Sequence, residues 1–219
     1  MSPLESQAAL RLLVYSVDQQ VRAIIAGLSG SPSQILAQLL EIMPELVRYY
    51  SDGSATLAAD LFDELRSQVA TRSRFRADPV VNDRTVKIRN AVAWAVQSDD
   101  TNVTTVDKLT DLAKTEVARP YRDTVTLNSR RDPDSVGWSR VAGDACGFCR
   151  MLSARGAVYK RDTARFAAHE NCDCTARPVF YGGEVGPEAS AIQYMASRRS
   201  KTPAQRAALN EYLATYYPD

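Results

Sequence analysis

Apolar residues recur at helical spacing through the first half of the chain. Leu10, Leu13, Val14, Val17, Val21, Ile24 and Ile25 form one stripe, which runs up to Gly27. Ser2 and Glu5 have the spacing of a capping box, and Pro3 suits a first helical turn. Gly30-Ser31-Pro32-Ser33 marks a break and a restart. Ile35, Leu36, Leu39, Leu40, Ile42, Met43, Leu46 and Val47 then predict a second amphipathic helix, bent near Pro44. Ser51-Asp52-Gly53-Ser54 reads as a turn. A third helix is predicted through Leu57, Leu61, Phe62, Leu65 and Val69. After a looser stretch ending at Asp78-Pro79, two more helices are predicted, Val80 to Gln97 and Thr105 to about Thr126. Thr104 and Thr105 are candidate caps for the last of these, and Pro120 should kink or split it.

The texture changes near residue 129. Asn128 to Ser135 is polar and turn-rich, and short segments of β character follow it: Gly137–Val141, Ala157–Tyr159 and Thr175–Tyr181. Cys149–Ser153 reads as a helical turn between the first two. Gly182, Gly183, Gly186 and Pro187 mark a second linker, and a helical tail covers about 188 to 217, interrupted at Thr202-Pro203. The expected fold is α+β: a mainly helical region over 1–128, a small Cys/His-containing α/β module over 129–186, and a helical tail over 187–219.

Composition narrows the classes. In 219 residues, Lys plus Arg is 27 and Asp plus Glu is 26, which argues against a chain that coats nucleic acid by bulk charge. No run reaches the roughly 18 to 20 apolar residues of a membrane span. Met1–Glu5 lacks the positive start of a signal peptide, so secretion by that route is not expected. The length permits a core that needs no staple. One local feature departs from this ordinary picture: all 4 cysteines and the 1 histidine lie between residues 146 and 174.

They read Cys146-Gly-Phe-Cys149, then His169-Glu-Asn-Cys172-Asp-Cys174. Zinc takes four thiolate or imidazole ligands in a tetrahedron, and C-x2-C supplies two from one tight turn. Gly147 would let the backbone fold around the ion. The candidate ligands are Cys146, Cys149, His169, Cys172 and Cys174, four of the five for a structural zinc. Disulfides or thiol redox chemistry are the second reading, although the βαβ context of redox C-x-x-C is missing and a reducing cytosol opposes a bridge. A Cys nucleophile with His169 as base is the third; a base cannot also be a metal ligand. Plain packed thiols are the last.

The block Trp138-Ser-Arg-Val-Ala-Gly, Cys146-x2-Cys149-x2-Leu152-x3-Gly156-x2-Tyr159 and His169-x2-Cys172-x-Cys174-x3-Pro178-Val179-Phe180 resembles the MuF-like minor head proteins of tailed bacteriophages, most of all those of actinobacterial phages. The resemblance implies a head-morphogenesis protein in the virion, in the capsid interior or at the portal vertex, after assembly in the host cytoplasm. Its implied partners are the portal and other head proteins, bound through the helical region, with a role in DNA packaging or ejection. The family offers no agreed catalytic residues, and the resemblance implies a structural role for the Cys and His positions.

Similar chains are often labelled capsid maturation proteases. A single histidine excludes a Ser protease that needs two, His169-Glu170 is not followed by a second His as H-E-x-x-H requires, and none of the five lysines has a recognisable dyad motif. A structural protein is therefore favoured over a hydrolase. A non-specific DNA-binding ejection protein is a further alternative, since residues 66–89 hold seven Arg or Lys against two Asp, and 119–165 hold ten against five acids. Solvated helix faces paired with their own acids are the favoured explanation of such runs. Tyr49, Tyr50, Tyr216 and Tyr217 are candidate anchors for partner contacts.

Overall fold

The computed structural model describes residues 1–69, 72–98, 103–142, 146–156, 159–160, 166, 172, 174–182 and 202–218. Four helices come first: α1 (Pro3–Gly27), α2 (Pro32–Ser67), α3 (Thr85–Gln97) and α4 (Thr105–Arg131). Then follow β1 (Ser135–Val141), α5 (Gly147–Ala154), β2 (Tyr159–Lys160), β3 (Thr175–Phe180) and α6 (Pro203–Tyr216). The fold is α+β and mainly helical, as expected.

Side-chain oxygens of Ser2, Ser31, Thr104 and Thr202 accept from the third backbone N–H of their helices, and proline opens α1, α2 and α6. Two expectations need correction. The turn read at Ser51–Ser54 does not exist: α2 runs unbroken for 36 residues, so the first half has four helices where the pattern suggested five. Ser51, Ser54, Ala55, Ala58 and Ala59 are all buried, so these small residues serve close helix packing, not a turn. Nor is α4 split at Pro120. Proline lacks the N–H that would bond the Glu116 carbonyl four residues back; the Ser51 hydroxyl donates to that same carbonyl at 3.5 Å. The second linker and the start of the tail, 183–201, lie outside the described residues.

Helices α1 to α4 share one core, which includes Val17, Val21, Leu39, Met43, Val92, Leu109 and Val117. The sheet is antiparallel in the order β2-β1-β3, with Trp138 opposite both Tyr159 and Pro178. A second core joins it to the helices: Trp138 of β1 and Ala176 of β3 pack with Leu10, Leu61, Tyr121 and Val125. Phe180 adds an edge-on contact to Phe62, centroids 5.4 Å apart.

Five residues of the polar stretch at the α4–β1 junction, Asn128, Ser129, Asp132, Asp134 and Ser135, are buried. Asn128, Ser129, Asp132 and Ser135 are all 0% exposed. The Arg66 guanidinium donates to Asp132 at 2.7 Å and to Asp134 at 3.0 Å. Asp134 also accepts from the Arg72 and Ser73 amides and the Ser73 hydroxyl. A second buried carboxylate, Glu116, receives Arg84 and Lys87.

Candidate metal centre

Cys146 is the N-cap of α5, and Cys149 stands one turn along on the same face. The helix stops after Ala154, where Gly156 takes a left-handed backbone (φ 66°) that a side chain would resist. Gly147 has another reason to be glycine than the one expected from the sequence. A Cβ there would lie 2.2 Å from the Tyr217 carbonyl, because the end of α6 crosses this point. Arg150 holds that crossing by donating to the Tyr217 and Pro218 carbonyls.

Cys172 and Cys174 lead into β3 and face α5. The sulfurs of Cys149, Cys172 and Cys174 all lie within 4.8 Å of one another, and all three residues are buried. The Cys149–Cys172 separation is 3.6 Å. A disulfide needs about 2.05 Å, whereas a tetrahedral zinc with bonds of about 2.3 Å sets its sulfurs about 3.8 Å apart. None of the four cysteines is joined in a disulfide. Cys146, half-buried, packs against the three-sulfur group without joining it at that distance. His169 lies outside the described residues. Three of the five expected ligands are thus brought together, and these three can hold a metal ion.

Hydrogen bonds from Cys149 and Cys174, helped by the nearby Arg122 charge, hold the Cys172 thiol far below its ordinary range. Hydrogen bonds with Cys172 and Cys174, together with burial, push the Cys149 thiol up.

Sequence reasoning missed the residues beneath the sulfurs. Arg122 of α4 is 6% exposed; its Nε donates to the Cys174 carbonyl at 2.8 Å and its Nη2 to the Cys172 carbonyl. Phe166 stacks against Trp138 (centroids 5.2 Å apart) and takes the guanidinium of Arg140 on its face at 4.0 Å, with that of Arg122 at 5.2 Å. One signal was present: helical spacing puts Arg122 on the buried stripe of Ala118 and Val125, where a charge is anomalous.

Part of each basic run is committed to partners or buried within the fold. Of the seven basic residues in 66–89, Arg66, Arg84 and Lys87 are held by Asp132, Asp134 and Glu116, and in the second run Arg122 and Arg140 are buried. Among the described residues, no helix is long and apolar enough to cross a membrane.

Fold and site define a mainly helical α+β protein with a buried three-thiol cluster at the seam between sheet and helices. A family model for the VG15 protein matches residues 4–199, which takes in both the helices and the thiol module. The chain belongs to that family and is a phage-related protein. No curated protein and no solved structure matches it.

Proposed function

We propose that the chain is a minor head protein that acts in procapsid assembly beside the portal, with a structural zinc at its thiol cluster. One observation carries the reading: the residues that resemble MuF-like proteins are the ones that build the buried module. Trp138, Cys149, Leu152, Cys172, Cys174, Val179 and Phe180 are all at most 8% exposed. They form core and cluster, and the three cysteines among them are buried away from solvent. Such a motif serves a fold, and the fold then serves assembly. In this reading Cys149, Cys172 and Cys174 are three zinc ligands, and Cys146 or His169 completes the four. The partners are the portal and neighbouring head proteins, met through the helical surface, where Leu12, Tyr15, Tyr49 and Trp94 are all more than half exposed. The protein resides in the virion, in the capsid interior or at the portal vertex, and phage DNA is reached through the basic residues that remain exposed, such as Arg74 and Arg89.

Co-expression with the portal, scaffold and capsid proteins of the same phage tests this. The expected result is co-purification with the portal and intact scaffold and capsid chains. Specific cleavage that disappears in a Ser or Cys variant would replace the reading by a maturation protease. Duplex binding that falls steeply with salt, without portal association, would replace it by a DNA-binding ejection protein.

A further inference from the structure

We infer that Arg122 is the positioning and charge-balancing residue of the metal–thiolate centre, the contact through which α4 sets the affinity of a site whose ligands all come from other elements. The inference rests on the metal reading above. Arg122 is a cation 6% exposed to solvent, and among the described residues no carboxylate forms an ion pair with it. Its two hydrogen bonds go to backbone carbonyls, at Cys172 and Cys174, which satisfy N–H groups but do not neutralise charge. A buried charge left in that state is heavily penalised. The groups placed to balance it are the sulfurs of the same two cysteines. Three thiolates around a divalent ion carry one negative charge in excess, so loading the site supplies what Arg122 lacks; three neutral thiols do not.

The geometry adds orientation to charge. By fixing both carbonyls toward α4, Arg122 holds the backbone of Cys172 and Cys174, which carry two of the three sulfurs. Such outer contacts of a metal site direct the inner ligands and raise their affinity.

The test uses the full chain titrated with Co2+, whose bond to thiolate gives a charge-transfer band, and then with Zn2+ against a chelator. Arg122→Met is expected to bind about 10-fold to 100-fold more weakly than the unsubstituted chain, and to need a higher pH for half-loading. Arg122→Lys keeps the charge and loses the fork; it should lie between Arg122→Met and the unsubstituted chain in both affinity and half-loading pH. A role in packing alone would leave the two variants equally weak, and that result overturns the inference. If Arg122→Met does not fold, Arg122→Lys decides: an affinity equal to that of the unsubstituted chain overturns the positioning role. No charge-transfer band in the unsubstituted chain would end the metal reading itself, an outcome distinct from either of these.

Discussion

The two regions of the molecule are stabilised by different means. Helices α1 to α4 bury a continuous apolar core, and several polar groups drawn into it have a partner close by: Ser6 with Tyr121 at 2.6 Å, Arg66 with Asp132 and Asp134, Glu116 with Arg84 and Lys87. The thiol module consists of an eight-residue helix and a sheet with one two-residue strand. Its large side chains Trp138 and Phe180 point into the helices. Elements that short do not stand alone in water. The difference teaches where a staple is needed: the length of the whole chain removes the requirement, but the module inherits it.

Breaking the staple should therefore have the largest effect, and a local one. Cys174→Ser removes a ligand that is 0% exposed. Structural zinc supplies about 10 kcal/mol or more of folding free energy in small zinc peptides, so the module should open while the helices persist. Hydrogen exchange would show this as lost protection in α5, β2 and β3 with protection retained in α1 to α3. A chelator should do the same to the unsubstituted chain. Uniform loss across all helices would show that the regions are not separable in stability.

Core truncation sharpens the comparison. Leu39→Ala should cost about 2–5 kcal/mol in denaturant unfolding and leave metal affinity unchanged, because Leu39 packs only within the helical core. Trp138→Ala should cost about 3–5 kcal/mol and also weaken metal binding, since Phe166 lies between Trp138 and the two buried arginines.

How far the sequence could be read follows the same division. The starts of α1 and α2 were legible because the determinants are local: Ser2-Pro3 and Ser31-Pro32 carry cap and first turn within two residues, whereas the helix expected from Val80 begins only at Thr85. The Ser51–Ser54 turn and the break at Pro120 were misread because the correction is tertiary. Each element supplies what the other lacks, small residues on α2 for close approach and a Ser51 hydroxyl for the carbonyl that Pro120 leaves unpaired. The cysteines were legible as a group, but their separations are products of folding. Arg122 was the least legible. Its role depends on two carbonyls 50 and 52 residues away, and only its place on an apolar stripe marked it.

The buried carboxylate Glu116 offers a test by pH. Burial alone would raise its pKa; hydrogen bonds from Arg84 and Lys87 outweigh this and hold it below the ordinary value of 4.5. A depressed folded-state pKa contributes stability above the unfolded value, and that contribution is lost as pH falls through the folded one. Unfolding free energy should therefore drop on acidification below about 4.3. Glu116→Gln should flatten that part of the profile and cost about 1–3 kcal/mol at neutral pH. The effect belongs to the helical region, so metal content should not follow it.

The smallest effect on stability is expected at the surface, where it isolates function from folding. Leu12 and Tyr15 are 67% and 62% exposed, and their substitution together by Ser removes no core contact. Exposed sites of this kind move stability by about 0.5 kcal/mol or less. Apolar side chains held out in water on a helix that buries its other face are, however, the material of a protein interface. The double variant should unfold at the same denaturant concentration as the unsubstituted chain and bind metal equally well, yet be recovered with the portal in reduced amount. Unchanged recovery would move the contact surface to another face, with Trp94 of α3, 59% exposed, as the next position to test. A loss of recovery on opening the thiol module, with this helical face intact, would instead assign the contact to the module.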